Sequence, residues 1–185
     1  MTGCRPLKKS EVTLILKSVD PRKKIIVLSG LCFGLRVSEI LCLRFKNVSG
    51  EYLRITKSLK GSNNVTFPIP PEYKTALAEL KAYYLNKGFK FNFETPLCLS
   101  QKGFQKPVSR QQACLMIRDA CRSLGLDGKV NIHSFRKTFI TRIYELTGKD
   151  LVKTLTYSRH KNLNSLKHYI KSSEEKRLIL SLSWS

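Results

Sequence analysis

The sequence predicts a mainly α-helical domain that carries a small antiparallel β-sheet, an α+β fold, and three observations support this prediction. Apolar residues recur at helical spacing through most of the 185 residues. One segment, residues 47–70, instead alternates and is rich in β-branched residues. No internal repeat, low-complexity stretch or linker divides the chain, and its 42% apolar residues are enough to build one core.

The first 46 residues predict three helices. We expect Ser10 to cap the first helix, and Asp20-Pro21 to separate it from a buried helix in "KKIIVLSGLCFGLR". A short third helix follows directly. The residues that share one face are Val12, Ile15, Leu16 and Val19 in the first helix, and Val37, Ile40, Leu41 and Arg44 in the third.

The remainder predicts a hairpin followed by more helices. The hairpin turns at Gly-Ser-Asn-Asn, residues 61–64, and Pro71 then opens a helix. We expect a short strand at Leu97–Leu99, a helix from Ser109, and three or four closing helices from Ser134 onward. The inward residues are Tyr73, Leu77, Leu80 and Tyr84 after Pro71, and Cys114, Ile117, Cys121 and Leu124 after Ser109.

The charge balance indicates a polyanionic partner. Lys and Arg outnumber Asp and Glu by 34 to 13, which gives a net charge of +21 spread along the whole chain. No apolar run reaches about 18 residues and no signal peptide pattern is present, so we expect a cytoplasmic protein without a membrane partner. The six cysteines form no C-x-x-C pair, which favours reduced thiols over a zinc site.

Several catalytic signatures do not occur in the sequence. It lacks a close carboxylate cluster for two-metal cleavage, H-E-x-x-H, a Walker-type loop and G-x-S-x-G. We therefore expect no metal and no cofactor, and a metal-free activity or a non-enzymatic role.

Two arginines and one histidine are candidates for binding an oxyanion. Arg36 begins a helix in "GLRVSEIL", after a glycine that permits close backbone approach, and a guanidinium can offer two donors to a phosphate. An arginine that bridges helix ends is the alternative. His133 and Arg136 share one side of a helix start in "HSFRKTFIT", where they could converge on one anion. A capping histidine beside a solvated arginine is the alternative there.

Two more candidates lie near the carboxyl end. His160 stands in the basic segment "YSRHKNLN", and Tyr169 follows nine residues later in "LKHYIKSS". Spacing alone does not favour Tyr169 over Tyr157 or Tyr144, since most tyrosines are packing residues.

Together these segments resemble the catalytic domain of the tyrosine recombinases, the phage integrase family. "GLRVSEIL" is similar to the family's G-x-R-x-[ST]-E-[LI] box, and "HSFRKTFIT" to its H-x-L-R-H-x-x-A-T box. The family carries a lysine eight residues before the proline of a hairpin exit strand, which matches Lys60, with Lys57 as the alternative. His160 and Tyr169 match the family's late histidine and its nucleophile.

The resemblance implies a site-specific recombinase or integrase that cleaves and rejoins DNA strands through a 3′-phosphotyrosyl intermediate, without metal or ATP. It implies the tyrosine recombinase catalytic-domain fold for residues 1–185 and the absence of the family's N-terminal core-binding domain, as in an excised fragment, with a minimal enzyme as the alternative. The implied catalytic residues are Arg36, Lys60, His133, Arg136, His160 and the nucleophile Tyr169. The chain departs from the family at Phe135 and Lys137, and no glycine precedes His160.

The resemblance also implies partners and rivals. Double-stranded DNA is the expected partner, with assembly into a dimer to tetramer on DNA and a monomer in isolation. The protein is expected in the cytoplasm, or encoded by a virus or mobile element and acting on host DNA. A type IB topoisomerase-like enzyme and a catalytically inactive DNA-binding relative are the alternative functions.

Overall fold

Seven α-helices and a three-stranded sheet make up the part of the chain that the computed structural model describes, residues 3–55, 65–90, 92–100, 106–126 and 129–159. The predicted α+β class is confirmed. In chain order the elements are α1 (Lys9–Ser18), α2 (Pro21–Phe33), α3 (Val37–Cys42), a 3-10 turn (Phe45–Asn47), β1 (Val48–Ser49), β2 (Tyr52–Ile55), β3 (Val65–Pro68), α4 (Pro71–Asn86), α5 (Arg110–Ser123), α6 (Ile132–Leu146) and α7 (Leu151–Ser158).

Helix α2 is the centre of the core. The Asp20 carboxylate accepts hydrogen bonds from the backbone N–H groups of Arg22 and Lys23, at 3.0 and 3.2 Å, and Pro21 occupies the first helical position. Residues 25–30 are all buried, so this helix has no solvated face over that stretch. The predicted break at Asp20-Pro21 is confirmed, and α2 packs against both α4 and α6.

Helix α1 begins earlier than predicted. Ser10 lies inside its first turn and does not cap it, which corrects the prediction. The Glu11 carboxylate instead accepts the backbone N–H of Lys8 at 2.7 Å, and it also binds the Arg5 guanidinium at 2.5 Å. An acidic residue in the first turn thus stabilises the free N–H groups that a serine was expected to satisfy.

The predicted hairpin is confirmed as the antiparallel pair β2–β3, with β1 added to the other edge of β2. Its register pairs Tyr52 with Pro68 and Ile55 with Val65. The connecting residues 56–64, including the predicted turn, lie outside the described residues. Pro71 opens α4 as predicted, and the four residues expected to face inward from it are all buried, namely Tyr73, Leu77, Leu80 and Tyr84.

No strand forms at Leu97–Leu99, which corrects a second prediction. The Tyr84 hydroxyl donates to the Leu97 carbonyl at 2.8 Å and accepts the Leu99 N–H at 3.0 Å. One buried hydroxyl therefore satisfies backbone groups that a neighbouring strand would otherwise pair. Single bridges remain on either side of it, Arg44 with Pro96 and Leu99 with Pro107.

Helix α3 is shorter than predicted, because it ends at Cys42 and Arg44 joins the bridge to Pro96. The helix predicted from Ser109 is confirmed as α5, and Ser109 caps it, because its hydroxyl oxygen accepts the Gln112 N–H at 3.1 Å. The buried residues of α5 are Ala113, Ile117 and Cys121, with Cys114 and Leu124 packed against the edge of the core.

The crossing of α2 and α6 depends on two glycines one turn apart. A Cβ atom at Gly30 would lie 2.6 Å from the Cβ of Phe135, and a Cβ at Gly34 would collide with the Phe139 ring. The phenylalanines are also one turn apart, so the two pairs interlock along the helices. This close contact fixes the position along α2 at which α6 crosses it.

Within the described residues, no helix is long and apolar enough to span a membrane.

Gly34→Ala should lower the free energy of unfolding by about 2–5 kcal/mol, because a left-handed backbone and a collision with Phe139 act together. Gly34 has φ 59°. Gly50 is a matched control, since its φ is 57° and nothing lies near its absent side chain. Gly50→Ala should therefore cost only the backbone contribution of about 1–2 kcal/mol.

Urea unfolding of both variants measures the difference. In a Phe139→Ala background the cost of Gly34→Ala should fall to that of Gly50→Ala. Equal losses for the two alanine variants in the wild-type background would contradict the packing argument.

Candidate active site

Arg36 is held at the joint between α2 and α3. Gly34 ends α2 in the left-handed conformation, and Arg36 is the cap residue of α3. The Glu39 carboxylate accepts the backbone N–H of Arg36 at 2.7 Å, so the backbone of the arginine is fixed while its side chain is free to extend. That side chain is 48% exposed. The predicted glycine approach and helix start are both confirmed.

His133 and Arg136 lie in the first two turns of α6. The cap residue is Asn131, whose side-chain oxygen accepts the His133 N–H at 2.9 Å, while the Ser134 hydroxyl accepts the Asn131 N–H at 3.1 Å. The helix therefore begins at Ile132, two residues before the predicted start. This reciprocal cap fixes the backbone that carries the histidine.

Arg136 is buried, with 3% of its surface exposed. Its guanidinium donates to the Gly34 carbonyl and, at 2.9 Å, to the Ser158 carbonyl. The Arg136 side chain of α6 thereby connects two backbone segments, the joint between α2 and α3 and the end of α7. The alternative of a solvated arginine is wrong. The structure brings Arg136 to the backbone two residues before Arg36, although the two arginines are 100 positions apart in sequence.

A buried carboxylate completes this arrangement. Glu39 has a side chain only 5% exposed, and its two oxygens face different arginines. Oε1 lies 3.7 Å from Nη1 of Arg36, and Oε2 lies 3.3 Å from Nη2 of Arg159. Arg136 therefore binds the backbone two residues before Arg36 and one residue before Arg159. Glu39 in turn faces the side chains of these same two arginines. Sequence reasoning did not select Glu39 or Arg159 as site residues.

The surroundings of His133 favour the neutral form of its imidazole. Partial burial lowers the pKa of His133 below the usual 6.5, and the positive charges of Arg110 and Arg136 lower it further. Arg110 is the first residue of α5 and was also missed from the sequence. The neutral imidazole is the form of histidine that can accept a proton in a reaction step.

The other predicted site residues lie outside the described residues: Lys60 and its alternative Lys57, His160 and Tyr169. In sequence, Lys60 lies between the strands β2 and β3, and His160 directly follows Arg159. Among the alternative tyrosines, Tyr144 is buried beside Ile140 and Tyr157 is 58% exposed on α7.

The arrangement suits charge stabilisation and proton transfer. Two guanidinium groups can stabilise negative charge on an oxyanion, and a neutral imidazole can take up a proton. Within the ranges that the structure describes, no three His, Cys, Asp or Glu side chains gather as ligands for a metal ion. The six cysteines are free thiols.

Comparisons with known proteins agree with this geometry. The family model described as "Phage integrase family" matches residues 5–176. The probable integrase/recombinase YoeC of Bacillus subtilis (strain 168) is 28% identical over 173 residues, which span 92% of this chain and 90% of YoeC.

Solved structures show the same fold. XerA recombinase superposes with a TM-score of 0.74 at 20% identity, over 100% of this chain and 68% of that one. XerH site-specific recombinase, bound to palindromic difH substrate in a post-cleavage complex, gives 0.73 at 18% identity over 97% of this chain and 53% of that one. The chain thus spans between about half and two thirds of these solved proteins.

Arg110→Gln should raise the pKa of the His133 imidazole toward 6.5, because one of the two charges that oppose its protonation is removed. NMR titration of the ring signals, assigned with His133→Gln, measures the shift. Arg118→Gln is the matched control, since Arg118 lies two turns along α5 beside Asp119. An equal shift in both variants would contradict the assignment.

The same pKa shift gives a pH dependence of stability. Because folding lowers the pKa of His133, the unfolded chain takes up a proton at a higher pH than the folded chain does. The contribution to stability is complete above the unfolded pKa and is lost as the pH falls through the folded pKa. Arg110→Gln should reduce this acid-induced loss, measured as the change in unfolding free energy between neutral and acidic pH.

Proposed function

The chain belongs to the phage integrase family of tyrosine recombinases, and from this premise we propose that it cleaves and rejoins DNA through a 3′-phosphotyrosyl intermediate on Tyr169. The observation that supports the proposal is that the Arg136 guanidinium donates to the carbonyl of Gly34, two residues before Arg36, and that the charge of Arg136 acts on the imidazole of His133. These groups are the ones that a phosphoryl transfer without a metal ion requires.

In the proposed reaction, the Tyr169 oxygen attacks a scissile phosphorus and the bond to the 5′ oxygen breaks. A phenol has a pKa of about 10, so a neutral His133 is the proposed acceptor of its proton. Lys60 protonates the departing 5′ oxygen, and His160 donates a hydrogen bond to the phosphate. The 5′-hydroxyl of a partner strand later reverses the step, so the energy of the phosphodiester bond is conserved and no nucleotide is consumed.

The two arginines have different parts in this scheme. Arg136 is fixed by two carbonyl groups and supplies a charge that cannot reorganise when the phosphate arrives, which is the property that makes electrostatic stabilisation effective. Arg36 is the more exposed, and its guanidinium can approach two non-bridging oxygens together. Removing such a donor should raise the barrier by about 3 kcal/mol.

Double-stranded DNA is the proposed substrate. A net charge of +21 supports binding to phosphates along the backbone, which holds the duplex without selecting its sequence. The palindromic site of XerH has two-fold symmetry, and a symmetric site is occupied by two symmetric copies of a protein. We therefore propose that the chain forms a homo-oligomer on DNA. We further propose that it acts in the cytoplasm on host DNA.

The wild-type chain should form a covalent adduct with a nicked duplex whose sequence it has first selected from a random pool. The nick makes the released strand short, so the fragment that carries the new 5′-hydroxyl diffuses away and cannot reverse the cleavage. The covalent adduct then accumulates, and denaturing electrophoresis detects it. Tyr169→Phe should abolish the adduct, and Arg36→Ala should slow its formation about 100-fold. Tyr157→Phe is the matched control, because it removes an exposed hydroxyl from α7 and should leave the adduct unchanged.

An adduct that persists in Tyr169→Phe would refute the nucleophile. Selection of DNA without any adduct would indicate the catalytically inactive relative. Relaxation of a supercoiled plasmid without recombinant products would indicate the topoisomerase-like alternative.

A further inference from the structure

Arg159 has an unusual backbone conformation for its residue type. It ends α7 at φ 56° and ψ 37°, in the left-handed region that favours glycine. In the described part of the chain, only Lys149 shares a positive φ without being glycine. Strained positions of this kind persist where the surrounding structure holds them, often at functional sites.

The Arg159 side chain is held by two contacts far away in sequence. Its Nη2 lies 3.3 Å from Oε2 of Glu39, and its guanidinium lies 5.3 Å from the centre of the Phe67 ring in β3. The side chain is only 16% exposed. A planar guanidinium can stack on a ring and bind a carboxylate at once, which an ammonium group does less well.

Arg36 faces the same carboxylate more loosely. Its Nη1 is 3.7 Å from Oε1 of Glu39, which is beyond hydrogen-bond distance. Within the described residues, Oε1 of Glu39 and Nε of Arg159 are buried without a hydrogen-bond partner. Glu39 is therefore shared between one buried, closely held arginine and one exposed arginine at its edge.

We propose that Arg159 is a positioning residue, which neutralises Glu39 so that the Arg36 guanidinium is available to the scissile phosphate. A buried carboxylate that loses its counter-ion is strongly destabilising. Without Arg159, the compensating charge nearest to Glu39 among the described residues is that of Arg36, and its guanidinium would move onto Glu39 and away from the DNA. This inference rests on the proposed function.

Arg159 acts through Arg36 in this proposal and does not itself bind the phosphate. Its guanidinium is largely buried and already engaged with Glu39 and Phe67, whereas the Arg36 side chain is 48% exposed. The expected signature is a slower chemical step at saturating DNA with little change in DNA affinity.

Single-turnover adduct formation tests the proposal with variants that keep the length of the side chain. Arg159→Met should slow cleavage at saturating DNA by about tenfold or more, less than the loss of a whole phosphate donor, and Arg159→Lys should slow it less. Lys149→Met is the matched control, because it removes one positive charge at an exposed left-handed position. It should stay within about twofold of wild type, as surface substitutions usually do.

The decisive comparison is made in a Glu39→Gln background, where residue 39 carries no charge that needs a counter-ion. There Arg159→Met should have no further effect, because Arg36 is no longer attracted to residue 39. An equal loss in both backgrounds, or unchanged cleavage by Arg159→Met alone, would overturn the proposal. Thermal unfolding shows whether Arg159→Met folds by itself. If it does not, Glu39→Gln is compared with the double variant Glu39→Gln/Arg159→Met. Equal cleavage rates support the proposal, and a difference between them overturns it.

The outcome is separable from the proposed function. If the wild-type chain forms no adduct, the proposed function fails and the role of Arg159 fails with it. If the wild-type chain forms the adduct and Arg159→Met forms it equally fast, only the role of Arg159 fails.

Discussion

The arrangement of the site depends on the hydrogen bonds that the Arg136 guanidinium donates to two backbone carbonyl groups. This guanidinium joins α6 to the carbonyl of Gly34 and to the carbonyl of Ser158, so it fixes the joint before α3 and the end of α7 relative to one buried charge. Carbonyl groups can satisfy a buried guanidinium without neutralising it. The positive charge therefore remains available to act on an anion outside the core.

Much of the fold could be predicted because its signals are local. Asp20 and Pro21 act within one helical turn, and the alternation around β2 needs only its own strand. Two of the misplaced elements, the expected strand at Leu97–Leu99 and the end of α3, were decided by distant groups. A hydroxyl on α4, that of Tyr84, satisfies the backbone of Leu97 and Leu99, and no pattern in those residues announces it. Glu11 is closer in sequence, and its spacing from Lys8 could have identified the true start of α1.

The site divides in the same way. Arg36, His133 and Arg136 belong to short sequence boxes, so the resemblance could select them. Glu39 lies inside one of those boxes and its spacing from Arg36 is typical of a helix cap, but its second role depends on Arg159, 120 residues later. Arg110 is similar, since its effect on His133 arises only because α5 begins near the start of α6. Through-space sharing of charge has no fixed spacing for a sequence pattern to detect.

A site that gathers guanidinium groups for a phosphate must also be stable without one. Burial lowers the pKa of Arg159, Glu39 opposes that change, and the charge of Arg36 adds to it, so the two arginines repel each other in the free protein. One carboxylate between them relieves this repulsion, but the same carboxylate competes with the phosphate for Arg36. The two oxygens of Glu39 contact the arginines at different distances, which resolves the conflict. The buried Arg159 keeps the closer contact. In the proposed reaction, the exposed Arg36 is held weakly enough to move from Glu39 to the phosphate.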